Sequence, residues 1–326
     1  MRPELLALAA TDAGLLTRRA ALAAGVTERE LRTATGHGGP WLAVRRGCYV
    51  HRHMWQHLDE DDRYRLRVRA AYLTGDRDCA VSHQSAAALH GMPLRPRWLD
   101  LVHVTRPGVS GSRTEHGVKH HRAATPADQL TFLGGVRVTT LARTAVDVAR
   151  EQRHLEDGVI ATDAAMRLGV AREAMTAVVA GMQCWPNVTR ARAAVDLADP
   201  GAQSPGETLL RLMVIELRLG PVSTQYVVRE GSRWAAADVR VRRHLFEFDG
   251  RVKYVGRDDG GVADRPLQEV VWAEKQREDM LRRADGGYGV SRVTWAELFP
   301  PLRERTMQRL RREYAETVAR FGTQVA

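Results

Sequence analysis

Trp234-Ala235-Ala236-Ala237-Asp238-Val239-Arg240-Val241-Arg242-Arg243-His244-Leu245-Phe246-Glu247-Phe248-Asp249-Gly250 holds two strand-like runs about a turn at Arg242-Arg243. Side chains alternate along a strand, so Val239 and Val241 share one face and Asp238 takes the other. In the second run Phe246 and Phe248 lie on one face, Glu247 and Asp249 on the opposite one. If Arg242-Arg243 is the whole turn, antiparallel pairing sets Asp238 directly opposite Glu247 on the same face. Like charges opposed in this way destabilise a sheet unless something bridges them. A divalent cation is a natural bridge, and hard oxygen ligands suit Mg²⁺. Asp238 and Glu247 are therefore the candidate metal ligands.

Working outward, a polar stretch from Asp199 to Gly206 carries Pro200, Gly201, Pro205 and Gly206 and precedes a helical pattern that begins at Glu207. Downstream, Val270 to Arg282 predicts an amphipathic helix and Tyr288 to Trp295 a strand. A last helix from Leu302 to Phe321 repeats Met307, Leu310, Tyr314, Val318 and Phe321, with Arg305, Arg309 and Arg312 on another face. An Asp followed by Glu-x-Asp on the adjacent strand, with Glu207 on the helix before, resembles the PD-(D/E)XK nuclease core, and in particular its very-short-patch-repair-like branch. The resemblance spans about Ser204 to Phe299.

It implies that Asp238 and Glu247 hold Mg²⁺ or Mn²⁺, that Glu207 supports them, and that a metal-bound hydroxide attacks a phosphodiester. The wider superfamily has Lys where this chain has Asp249, so the charge partner of the attacking water must come from elsewhere. Lys253, four residues on, is the obvious substitute, and Lys275 is the other. The candidate catalytic set is Glu207, Asp238, Glu247, Asp249 and Lys253. The competing reading is a degenerate nuclease fold without a cofactor, kept to contact DNA or to dimerise, with Glu247 and Asp249 bonded to Arg251 or Arg277. Gly256 to Asp264 reads as a loop over the carboxylates, without the features of a phosphate loop.

At the other end of the chain, Thr17 to Leu31 fits a helix-turn-helix, with Ala21 at the close approach and Gly25 in the turn. Apolar Ala20, Ala24, Val26, Leu31 and Ala34 mark the buried side. Thr27 followed by Glu30 is a capping-box start for the second helix. Its outward positions, Arg29, Arg32, Thr33 and His37, would face a major groove. Trp41 to Val50 reads as two short strands around the basic turn Arg45-Arg46, a wing able to touch phosphates. Arg18 and Arg19, at the start of the first helix, complete the candidate DNA contacts. Through residue 56, eight arginines stand against four acids.

This N-terminal segment, with Arg45 to Val50, Ser82 to Gly91 and Val138 to Asp147, resembles the type IV toxin–antitoxin (abortive-infection, AbiEi-like) antitoxin family over about the first 150 residues. The resemblance implies a DNA-binding autoregulator of a toxin–antitoxin operon that acts on inverted repeats, with a toxin as partner at the operon level.

Residues between these ends alternate helix and strand. Helices are predicted at Asp59 to Leu73, Ser82 to His90, Leu141 to Arg150, Leu155 to Leu168, Arg172 to Met182 and Val188 to Leu197, and strands at Leu99 to Thr105 and Val136 to Thr139. Asp59-Glu60-Asp61-Asp62 complements a helix N-terminus, and Arg143 with Asp147 reads as an intrahelical ion pair. His83, His90, His103, His116, His120 and His121 lack the i, i+4 spacing with a third partner that a zinc helix has, and are read as satisfied surface histidines.

Over the whole 326 residues, 49 Lys plus Arg exceed 39 Asp plus Glu, a net charge of +10 that makes a polyanion a reasonable partner. Three widely spaced cysteines fit neither a disulfide framework nor a metal knuckle. No apolar run approaches the ~18 residues of a membrane helix, and the first residues lack a secretory leader. A cytoplasmic location and no membrane partner are expected.

The fold class read from these patterns is multidomain α+β: a winged helix-turn-helix over 1–56, an α+β middle domain over 57–200, and a restriction-endonuclease-like α/β domain over 201–326. The leading function is a sequence-specific DNA-binding regulator of the antitoxin kind, possibility of a homodimer included. The alternative is a Mg²⁺-dependent endonuclease of defence or repair that its winged helix delivers to double-stranded DNA. A third reading is an interaction protein without catalysis.

Overall fold

The computed structural model describes residues 3–76, 78–93, 99–107, 111–231, 233–250, 280 and 287–322. The chain is mixed α and β, with three sheets among the described residues, and it divides into two compact units, Met1–Arg153 with Glu173–Arg192, and His154–Arg172 with Ala193–Ala326. Among the described residues no helix is long and apolar enough to cross a membrane. All three cysteines are free; Cys48 and Cys79 are buried and Cys184 is exposed.

The first unit begins with α1 (Pro3–Thr11), β1 (Leu15–Thr17), α2 (Arg18–Ala23), α3 (Glu28–Thr35), β2 (Trp41–Arg45) and β3 (Cys48–His51). The strands form an antiparallel sheet in the order β1-β3-β2. Local chemistry sets each helix start. Thr17 accepts the Ala20 N–H at 3.1 Å to open α2. Gly25 turns the chain at φ +80°, and Thr27 and Glu30 cap α3 reciprocally. Leu5, Leu16, Ala21, Val26, Leu31 and Trp41 close over one another as a common core. Ala24, expected on the buried side, is exposed, because α2 ends at Ala23 and Ala24 is its C-cap.

After α4 (Arg52–Gln56), helix α5 (Glu60–Thr74) starts at Asp59, whose carboxylate accepts the Asp62 N–H at 2.8 Å. It packs on a six-stranded sheet of order β6-β7-β5-β4-β9-β8. These strands are β4 (Ala80–Val81), β5 (Val102–Arg106), β6 (Arg113–Glu115), β7 (Val118–Arg122), β8 (Leu130–Leu133) and β9 (Val136–Thr139). Helices α6 (His83–Leu89) and α7 (Leu141–Glu151) complete this layer. β5 with β7 and β4 with β9 run parallel; the other pairs are antiparallel. The Arg143–Asp147 pair forms at 2.8 Å, and both side chains are buried rather than solvated. The histidine expectation fails for three of the six: His83, His103 and His121 are 1%, 7% and 5% exposed. The parallel β5–β7 pairing turns His103 and His121 to the covered face, and a linear sequence shows no sign of it.

The chain continues through α8 (Leu155–Arg167), α9 (Arg172–Ala180) and α10 (Val188–Asp196). In the second unit, α11 (Pro205–Leu217) precedes β10 (Ser223–Glu230), β11 (Arg233–Val241), β12 (His244–Asp249) and β13 (Gly289–Thr294), and α12 (Arg303–Phe321) follows. The sheet order is β10-β11-β12-β13, with β12 and β13 parallel and the remaining pairs antiparallel. A buried ion pair ties α8 to α11: Asp163 accepts from Arg211 at 2.9 Å and from the Thr208 hydroxyl at 2.8 Å.

Helix α11 lies so close to the sheet that a Cβ on Gly206 would stand 2.2 Å from the Phe248 ring. Gly206→Ala is expected to destabilise by about 1–3 kcal/mol through overpacking. In urea unfolding, the double variant Gly206→Ala/Phe248→Leu should lose less than the sum of the two single changes. Additive losses would show that the ring yields without cost.

Candidate functional site

The two stretches that the sequence singles out lie in different units and are described separately. On the short pair α2–α3, the buried residues are Ala21, Val26 and Leu31, which leaves the other faces to solvent. Arg19, Arg29, Arg32, Thr33 and His37 are all exposed, but His37, expected on the second helix, lies in the turn after it, because α3 ends at Thr35 with Gly36 as its C-cap. The Thr33 hydroxyl donates to the Arg29 carbonyl at 3.1 Å, which holds it along the helix. Arg18 is exposed but engaged, since its guanidinium pairs with Glu28 at the start of α3. The β2–β3 turn places Arg46 in solvent, with Gly47 at φ +79° making the tight return. Arg45 is half-buried and donates to the His116 carbonyl at 3.1 Å, so part of its bonding capacity holds the turn in place. A surface of this kind offers unburied guanidiniums on a rigid helix, the chemistry that binds phosphates and base edges.

In the second unit the β11–β12 register pairs Val239 with Phe246, Arg240 with Leu245 and Val241 with His244. That is the register expected for a turn made of Arg242 and Arg243 alone. Arg242 adopts φ +52° to close it. The Asp238 carboxylate reaches β12, where it accepts the Phe248 N–H at 2.8 Å. Glu247 is 4% exposed and pairs in register with Arg292 of β13. Asp249 is half-buried opposite Thr294. Glu207 sits in the first turn of α11 and is spent locally. It accepts from the Gln203 N–H at 2.7 Å, the Ser204 hydroxyl at 3.0 Å and the Gln225 amide at 3.3 Å.

Among the described residues, Glu207, Asp238, Glu247 and Asp249 do not bring three ligand atoms to within 4.8 Å of one another. The Asp238 carboxylate contacts the backbone of β12 beside Glu247, and oxygen ligands of this kind suit Mg²⁺ or Mn²⁺. Lys253, Lys275, Arg251, Arg277, the 256–264 loop and most of the helix expected over 270–282 lie outside the described residues.

One polar network in this unit has no counterpart in the sequence reading. His244, 1% exposed, shares hydrogen bonds from Nδ1 to Thr317 at 2.6 Å and from Nε2 to Ser291 at 2.8 Å. Ser291 donates to Glu313 at 2.5 Å. The four residues come from β12, β13 and α12, so only the fold assembles them. Burial holds the His244 imidazole down at about 4, below its ordinary 6.5. The folded chain therefore resists a proton that the unfolded chain takes up, and stability falls as pH drops from about 6.5 to about 4. The slope is at most about 1.4 kcal/mol per pH unit for this one group. His244→Gln is expected to show a smaller loss than the parent between pH 7 and pH 5 in urea unfolding, and equal losses would remove His244 from the pH response.

No protein-family model matches this chain, and no curated protein matches its sequence. A solved structure, that of the RV2827C protein from Mycobacterium tuberculosis, aligns over 64% of this chain and 78% of its own, with 15% identity and a TM-score of 0.38. At that distance the likeness assigns the chain to no family and carries no functional argument.

Proposed function

We propose that this protein is a sequence-specific DNA-binding regulator of the antitoxin kind, in which a winged helix-turn-helix reads DNA and a nuclease-like domain accompanies it. The observation that carries the reading is the α2–α3 pair: a capped helix, closed on Val26 and Leu31, whose outward Arg29, Arg32 and Thr33 are exposed, with His37 exposed in the turn that follows it. Such a helix is sized for a major groove, and the Arg46 turn of the adjoining hairpin supplies a phosphate contact. The antitoxin resemblance adds double-stranded DNA with an inverted repeat as partner and a toxin at the operon level.

The direct test is binding of the full chain to a duplex taken from upstream of its own coding sequence, titrated over a range of salt. Arg29→Ala/Arg32→Ala is expected to weaken specific binding at least about tenfold, the loss of a base-reading contact. Arg46→Ala should weaken specific and nonspecific duplexes alike and reduce the salt slope by about 1. Equal binding by parent and double variant would sink the recognition-helix reading.

A second reading has its own support. The α11-β10-β11-β12-β13 order, three antiparallel strands and a parallel fourth, agrees with a PD-(D/E)XK core, and the Asp238 carboxylate reaches the strand that carries Glu247 and Asp249. In this reading Asp238 and Glu247 hold Mg²⁺ and the chain is an endonuclease. Supercoiled DNA incubated with Mg²⁺, Mn²⁺ or chelator, beside Glu247→Ala, separates the two readings. Metal-dependent nicking lost in that variant supports the enzyme; gel shift without nicking leaves the regulator.

A further inference from the structure

Three imidazoles from separate elements meet inside the first unit. The β5–β7 register sets His103 beside Lys119 and Thr105 beside His121, so both histidines point to one face of the sheet. The Ser82 N–H donates to the His103 carbonyl at 3.1 Å, which brings the β4–α6 junction over that face. There His83 takes up a left-handed backbone, φ +52°. His103 Nδ1 lies 3.0 Å from His121 Nε2. The His83 ring stacks on His121 with centroids 3.7 Å apart. One nitrogen of each ring lies within 4.8 Å of the other two.

Among the described residues, one nitrogen of the cluster is buried without a hydrogen-bond partner. His83 Nδ1 bonds to Ser82 Oγ at 2.9 Å, and that oxygen also accepts from Thr105 at 2.7 Å. His83 Nε2 is buried and, among the described residues, has no partner. An unsatisfied buried polar atom costs about 1–3 kcal/mol, and an ion is one way to satisfy it.

We propose that His83, His103 and His121 bind one divalent transition-metal ion of the zinc, cobalt or nickel kind. Imidazole nitrogen selects such ions over Mg²⁺ and Ca²⁺, which require oxygen. With its proton on Nδ1 and donated to Ser82, the usual outer support of a metal-bound histidine, His83 keeps the Nε2 lone pair available to a metal. Coordination exchanges the His83–His121 stack and the His103–His121 hydrogen bond for three metal bonds, and no hydrogen bond at His83 Nε2 resists the ring's movement. The nearest cations are each turned to a carboxylate, which offsets part of the repulsion that an added cation would meet. Lys119 pairs with Glu151, Arg143 with Asp147, and Arg150 approaches Asp147 at 3.7 Å.

The site is independent of the DNA-binding reading and is tested without it. The full chain, free of any affinity tag and stripped by chelator, is titrated with Co²⁺ and then with Zn²⁺. About one equivalent of Co²⁺ with the visible absorption of a tetrahedral site is expected, displaced by Zn²⁺ and lost in His83→Gln and in His121→Gln. His53 on α4 and His57 at its C-cap form an exposed pair, with ring centroids 4.4 Å apart, and are the competing chelate. His53→Ala/His57→Ala should keep the full signal, and its loss there overturns the proposal. Ring-nitrogen NMR of the unaltered chain gives a readout that does not depend on variants folding. On Zn²⁺ addition, resonances of His83, His103 and His121 should move. Movement confined to exposed histidines, or no binding at all, also overturns it.

Discussion

Arg242 and Arg243 alone join the two inner strands of the four-stranded sheet, and so short a connection leaves β11 and β12 no freedom to slide. Because side chains alternate, a slip of one residue would send Phe246 and Phe248 to the face of the acids and the acids into the layer under α11. The left-handed Arg242 costs about 1–2 kcal/mol, which the paired strands on either side offset. The arrangement of the second unit follows from this constraint. Phe248 meets Gly206 of α11, His244 meets Thr317 of α12, and Asp238 reaches across to the Phe248 N–H.

Local signals in the chain account for much of this architecture. Thr17, Thr27, Asp59 and Ser204 each mark a helix start because a side-chain oxygen there satisfies an orphan N–H of the first turn. Val136 to Thr139 is a strand as read, and the Arg242-Arg243 turn is legible from two flanking alternating runs. By contrast β4, β6, β7 and β8 have two to five residues each. β7, Val118-Lys119-His120-His121-Arg122, has no apolar alternation that would announce it. Its neighbours in the sheet supply what its own sequence lacks.

Site chemistry divides along the same line. The register of the hairpin that carries Asp238 and Glu247 is readable because its geometry is local. The meeting of His83, His103 and His121 is not, since a parallel pairing and a helix start separated along the chain bring them together. Isolated from that pairing, each looks like an ordinary polar residue. Glu207 shows the reverse case: a carboxylate in a plausible catalytic position that the structure occupies with the first turn of its own helix.

The placement of the cysteines has a practical side. Burial, with the Asp12 charge adding to it, pushes the Cys48 thiol up to about 12, and Cys79 is likewise raised, first by burial. Thiolate is the reactive form, so both are shielded twice, by access and by protonation. Cys184 alone stands in solvent. A maleimide dye would therefore attach once per folded chain, on the loop between α9 and α10, and give a single defined vantage point for distance measurements without removing any native residue.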